Sequence, residues 1–257
     1  MKLFPGALTL VLALALPAFQ QTVPHSTHTV ILRGHSQQLQ FYGDPSASPV
    51  IVSSGDGGWI HLAPQVAEWL STRGWSVTGF DAKAYLSGWT GGTRPLSVDE
   101  VAHDYLMLVE LASESTPKPV LVGVSEGAGL SVLAAADPRV RDRIAGVVTL
   151  GLGDVNELAW RWRDSIIYLT KGTPREPSFH AGDFLTRISP APLALLWSAH
   201  DEFVPPDEQA RLAARARMPV RVWTTRAVDH RFSDNMGGLE ANLSQALEWI
   251  GQIRGER

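Results

Sequence analysis

The chain contains no cysteine. Disulfides, thiolate-held metal sites and a cysteine-linked lipid anchor are therefore excluded, although the absence is silent on whether the compartment is oxidising. Blocks of basic residues are also missing. Its 22 Lys+Arg against 26 Asp+Glu give a net charge of −4, so no nucleic-acid partner is expected. Neither Gly-x-x-x-x-Gly-Lys-Ser/Thr nor a strand followed by Gly-x-Gly-x-x-Gly occurs, which argues against a phosphate or dinucleotide cradle, and no cofactor is implied. His25-Ser26-Thr27-His28 has no carboxylate or thiolate company, so no metal is implied either. No apolar run reaches the roughly 20 residues that span a bilayer.

One shorter apolar run does occur, Leu8 to Leu16, between Lys2 and Pro17-Ala18. A basic start, a run of this length and a small residue at its end read as a secretory signal peptide over residues 1–20, cut near Ala18. An uncleaved anchor is the alternative, for which the run is short. The expectation is a soluble protein of the periplasm or the cell exterior. The remaining chain, 27–257, is long enough for one sizeable core and shows no repeat or low-complexity segment.

Short β-branched runs alternate with helical patterns. Thr29–Leu32 and Leu39–Tyr42 read as an antiparallel start, followed by strands at Pro49–Ser53, Trp75–Asp81, Val120–Val124, Ile144–Leu150, Pro192–Ser198 and Val220–Thr224. Helices are expected from Leu62 to Arg73, from a Ser97/Glu100 capping box to about Ser115, from about Leu130 to Ala136, over about Asp207–Arg217, and at the carboxyl end through Leu239, Leu243, Leu247 and Ile250. Ala82–Pro95 reads as irregular. The span of about 153–190 breaks the alternation and reads as an insertion, with a hairpin formed by Leu158–Trp162 and Ile166–Leu169 around Arg163-Asp164-Ser165. Alternating strands and helices imply an α/β fold, a mostly parallel central sheet with helices on both faces.

Within this pattern Gly123-Val124-Ser125-Glu126-Gly127 lies between a buried strand and a helix. That is the setting of a nucleophile elbow, where the turn is sharp and glycines give room. Ser125 then stands at the carboxyl edge of the sheet over a helix amino terminus, where a developing anion is favoured. A hydroxyl needs a base and an orienting group, and such folds present serine, acid and histidine in that order. Asp201 follows one later strand and His230 the next, at the same edge. The expected roles are nucleophile for Ser125, base for His230 and orienter for Asp201. His200 is the alternative base and Asp229 the rival acid. The oxyanion hole is expected from the backbone N–H of Glu126 and of Asp56, with Gly57 second; a plain tight turn is the alternative for Gly55-Asp56-Gly57-Gly58. Inward-pointing side chains of Asp56 and Glu126 would suit a substrate with a cation near its scissile carbonyl, such as an aminoacyl ester; the alternative is that both point to solvent.

Ser54-Gly55-Asp56-Gly57-Gly58-Trp59 together with Gly123-Val124-Ser125-Glu126-Gly127 resembles the bacterial virulence protein VirJ/AcvB family of α/β-hydrolases. The order of elements matches from about Pro49 to Trp249, including the loop Asp201-Glu202-Phe203-Val204-Pro205. The Gly-Asp-Gly-Gly-Trp string is the more specific part, since the serine pentapeptide is shared across the superfamily. The resemblance implies a periplasmic serine hydrolase that removes aminoacyl groups from phosphatidylglycerol, notably lysyl-phosphatidylglycerol, with Ser125, Asp201 and His230 at the catalytic positions. It also implies, for some members, a link to type IV secretion and so a secretion-system partner. Glu126 stands where the family usually has an aromatic residue. A phospholipid substrate would need an apolar approach and peripheral contact with membrane lipid, for which Trp59, Trp89, Trp160 and Trp162, with Ile166, Ile167 and Tyr168, are candidates. Arg161 and Arg163 could meet lipid phosphates, while covering the sheet is the alternative role for the aromatics. A general carboxylesterase shares the whole mechanism, and a non-catalytic adaptor on the same fold is the reading from another class.

Overall fold

The computed structural model describes residues 25–90, 95–113, 117–160 and 177–255. The expected signal peptide and the hairpin residues Arg161, Trp162, Arg163, Ile166, Ile167 and Tyr168 lie outside them. Ten strands are described: β1 (His25–Leu32), β2 (His35–Tyr42), β3 (Ser48–Ser53), β4 (Trp75–Phe80), β5 (Val120–Val124), β6 (Gly146–Leu150), β7 (Val155–Glu157), β8 (Ser178–His180), β9 (Leu193–Ser198) and β10 (Val220–Thr225). Eight of them form one sheet in the order β1-β2-β4-β3-β5-β6-β9-β10. β1 runs antiparallel to β2, and β2 antiparallel to β4. The remaining neighbours are parallel.

Two-residue alternation sorts the core onto two faces. Val50 and Val52 of β3 join Val122 and Val148 under α1 (Leu62–Thr72) and the last helix, α7 (Met236–Arg254). Ile51, Leu121 and Val147 point the other way, against α3 (Val98–Ala112) and α4 (Glu126–Ala135). Leu121 is fully buried there, and truncating it to alanine is expected to cost about 2–5 kcal/mol. Because the central strands run parallel, their carboxyl ends gather at one edge, and the loops after β3, β5, β6, β9 and β10 meet there.

Local features differ from the sequence expectation: β1 begins at His25 and α4 at Glu126, both earlier than expected, and Pro138–Arg141 adds a short helix. Ala82–Ser87 forms a short helix, α2, rather than an irregular stretch; the Asp81 side chain caps it by accepting the Ala84 N–H at 3.0 Å. It is too short to show a helical period. In the insertion, Leu158–Trp160 is not strand; β7 pairs antiparallel with β8 instead, with Asn156 opposite Phe179. Helices α5 (Pro138–Arg141) and α6 (Pro206–Arg215) complete the described elements. Among the described residues no helix is long and apolar enough to cross a membrane.

Candidate active site

Ser125 joins β5 to α4 with φ +50° and ψ −115°, a sparsely populated conformation for a residue with a side chain. The glycines around it answer to space. A β-carbon on Gly123 would lie 2.3 Å from the Gly127 carbonyl oxygen, and one on Gly127 would lie 2.4 Å from that of Ser54. The Ser125 N–H donates to the Leu150 carbonyl at 2.8 Å, which ties the turn to the end of β6.

His230 and Asp201 come together from the loops after β10 and β9. His230 Nδ1 lies 2.7 Å from Asp201 Oδ2, and the Asp201 side chain is fully buried. The other Asp201 oxygen accepts the amides of Phe203 at 3.0 Å and Val204 at 2.9 Å, so the carboxylate cannot swing away. Gln209 of α6 braces that loop by donating to the carbonyls of Ser198 and Val204. The His230 amide donates to Glu202 Oε2 at 2.8 Å, and the Phe203 ring meets the imidazole edge-on at 5.4 Å. The alternatives are otherwise engaged or placed: Asp229 accepts from the Ser233 N–H and hydroxyl, and His200 is exposed.

Ser125 and His230 line one cleft of about 160 Å³ with Gly55, Asp56, Gly57, Ile60, His61 and Arg231 among its walls. Among the described residues no hydrogen bond joins the Ser125 hydroxyl to the imidazole; catalytic hydrogen bonds of this kind often tighten only when substrate is bound. The Gly55-Asp56-Gly57-Gly58 string does form a tight turn, closed by the Gly58 N–H on the Gly55 carbonyl at 3.0 Å, with Gly58 at φ +89°. It is also a cleft wall, since a β-carbon on Gly55 would come within 3.2 Å of Ser125 Cβ. The tight turn and the approach to the serine are the same feature.

The two carboxylates beside the serine have different settings. Asp56 is partly exposed in the cleft. Glu126 turns inward, 6% exposed, and its Oε1 accepts the Glu157 N–H at 2.7 Å. Burial pushes its carboxyl well above the usual carboxylate range; the Glu157 amide opposes this, and the charges of Glu157 and Asp56 add to it. Its carboxyl is turned to the Glu157 amide and is not among the groups that line the cleft.

Of the candidate tryptophans, Trp59, Trp89 and Trp160 are described, and none of them lines this cleft. Trp59 donates its ring N–H to Tyr42 and lies on Gly79 of β4, where a β-carbon would be 2.2 Å from it. Trp89 carries the Arg33 guanidinium over its ring at 5.0 Å and meets the His35 ring at a tilt, 4.5 Å between centroids. Lys83 covers the Trp160 ring at 4.4 Å. Trp162 lies outside the described residues. Sequence reasoning missed three groups on the site: Glu202, Phe203 and Gly151, the last at φ +71° directly against the imidazole. A glycine immediately after a strand that ends at the serine-bearing edge was the one available signal.

Residues 48–166 match the family described as bacterial virulence protein (VirJ), so the likeness expected from the sequence holds over that segment. The match spans Asp56, Ser125 and Glu126 and ends before Asp201 and His230. No curated protein matches the chain. Among solved structures, an esterase of Pyrococcus furiosus, Pf2001, superposes with a TM-score of 0.66 at 17% identity, over 88% of this chain and 90% of that one. Est1E from Butyrivibrio proteoclasticus gives 0.63 at 14% identity, over 88% and 99%. A structure described as a membrane phospholipase A, a bacterial virulence factor, gives 0.62 at 15% identity, over 88% and 86%. The fold is that of the α/β-hydrolases.

Proposed function

We propose that this chain, VirJ-like in sequence over residues 48–166 and folded as an α/β-hydrolase, is a serine hydrolase of carboxylic esters. The observation that carries the reading is the 2.7 Å contact between Asp201 and His230 in the cleft that also holds the strained Ser125. His230 Nδ1–H donates to Asp201, which leaves Nε2 as the base. As the Ser125 hydroxyl oxygen bonds to the ester carbonyl carbon, its proton passes to Nε2 and the imidazolium is held by Asp201. The tetrahedral oxyanion accepts the N–H of Glu126 and that of Asp56, or of Gly57, at the amino terminus of α4. The imidazolium then protonates the leaving alcohol. Water enters by the same route in reverse, releasing the acid and restoring the serine.

The substrate we propose is an aminoacyl-phosphatidylglycerol. Asp56 supplies a carboxylate beside the serine for an ammonium next to the scissile carbonyl, and Arg231 lines the same cleft for a phosphate on the alcohol side. A periplasmic location rests on the pattern of residues 1–20, and contact with membrane lipid or a secretion system on the family likeness. The test is release of free amino acid from lysyl- or alanyl-phosphatidylglycerol in mixed micelles by the purified chain, abolished in Ser125→Ala. Turnover of short neutral esters without turnover of the lipid would make the chain a general carboxylesterase. Turnover of neither would leave the non-catalytic adaptor.

A further inference from the structure

The serine turn carries a buried acid for which the mechanism above has no use. The Glu126 side chain enters behind the turn, where its Oε1 accepts the Glu157 N–H at 2.7 Å. Its neighbour on β7, Asn156, lies on the first turn of α4 so closely that a β-carbon on Gly129 would be 2.0 Å from Asn156 Oδ1. Asn156 is itself held by the carbonyls of Gly153 and Asp154. The start of the insertion is thus fastened to the nucleophile helix at two points, one steric and one polar.

We propose that Glu126 is a positioning residue: by accepting the Glu157 amide it locks β7 to the nucleophile turn and so fixes both Ser125 and the Glu126 N–H that faces the oxyanion. The proposal rests on the serine-hydrolase reading. Among the described residues, the titratable groups facing this side chain are Glu157 on β7, Asp56 on the turn after β3 and Tyr105 on α3, and none of these is cationic. With burial they favour the protonated form of Glu126. Protonated, the group still accepts the amide through its carbonyl oxygen and sets no negative charge beside the oxyanion. Ionised, it would oppose that charge at short range through a medium that screens little. Two consequences separate this role from bulk filling. A glutamine keeps the acceptor and cannot ionise; an alanine loses the acceptor.

The experiment is the rate at which a fluorophosphonate labels Ser125 in the full chain, followed from about pH 6 to about pH 10, because labelling reports the nucleophile whatever the natural ester. Near neutral pH, Glu126→Ala is expected to label about 10–100-fold slower than the parent, as for other small displacements of a reacting group, and Glu126→Gln, which keeps the acceptor, to recover most of that loss. Any fall in the parent rate as pH rises is expected to be weaker in Glu126→Gln, which cannot ionise. Parent-like labelling in Glu126→Ala, or an alkaline fall retained by Glu126→Gln, overturns the proposal while leaving the hydrolase reading intact. A parent that takes no label overturns both. Should Glu126→Ala fail to fold, the pH profile of Glu126→Gln decides alone.

Discussion

A β-carbon on Gly151 would lie 2.6 Å from Cε1 of His230 and 3.2 Å from its Nε2. The imidazole rests on bare backbone at the end of β6, and the same strand end accepts the Ser125 N–H through Leu150. The floor under the imidazole and the anchor of the Ser125 turn are therefore consecutive residues.

Gly151→Ala should push the ring off this floor. At φ +71° the substitution is also strained, by roughly 1–2 kcal/mol. Ester turnover should fall by about 100-fold, because a displacement near 1 Å at a reacting group has effects of that order. The melting temperature should drop by only a few degrees. Steady-state kinetics beside a thermal melt check this; full activity in Gly151→Ala would show that the imidazole works elsewhere.

Asp201→Asn separates geometry from charge. The asparagine oxygen can still accept the Phe203 and Val204 amides, so the loop should hold. What changes is the partner of His230 Nδ1, which no longer fixes the tautomer with Nε2 free or stabilises the imidazolium. A kcat loss of about 10⁴-fold on a short ester is expected, the scale seen when this exchange is made in serine proteases. Unchanged kcat would assign the orienting role to another carboxylate.

Asp56→Asn addresses the substrate rather than the reaction. Its backbone N–H remains, so hydrolysis of neutral esters should be preserved. Loss of a charge-assisted contact worth about 1.5–3 kcal/mol should lower kcat/KM for aminoacyl-phosphatidylglycerol by roughly 10–100-fold. Equal effects on charged and neutral esters would remove Asp56 from recognition.

The sheet, the nucleophile turn and the Asp201–His230 pairing were legible because each leaves a local mark. Buried parallel strands are unbroken β-branched runs, the turn needs glycine at Gly123 and Gly127, and topology orders the loops. What stayed hidden depends on distance in three dimensions. Nothing near Glu126 in sequence shows that its carboxyl turns inward to Glu157, 31 residues on. Nor does the pattern of three-residue strands such as β7 and β8 rise above that of a loop. The tryptophans leave no such mark: amphipathic rings suit a lipid approach and the cover of a sheet equally, and only packing partners such as Gly79 and Arg33 bear on the choice.

Glu126 also makes a stability prediction, with a definite sign. Its folded pKa lies above its unfolded value, so the folded state binds the extra proton. Stability should then fall as pH rises from the ordinary glutamate range towards the folded pKa. Glu126→Gln removes this dependence. The variant should melt higher than the parent above the ordinary glutamate range, by a margin that widens as pH rises from there towards the folded pKa. A margin that stays flat or narrows would mean that Glu126 ionises freely in the fold.

The strain at Ser125 can be read out without any substrate. Its φ of +50° with ψ −115° costs of order 1–3 kcal/mol for a residue with a β-carbon. Glycine relieves this but adds freedom to the unfolded chain, an opposing effect of roughly 0.5–1 kcal/mol. Strain is the larger quantity, so Ser125→Gly should be inactive yet more stable by about 1 kcal/mol, or about 2–4 °C in Tm for a chain of this size. Ser125→Ala keeps the β-carbon and should be equally inactive with little of the gain. The comparison between the two variants isolates the backbone from the hydroxyl. Equal melting temperatures would mean that the turn is held without strain, and that its glycines serve only the close contacts of Gly123 and Gly127.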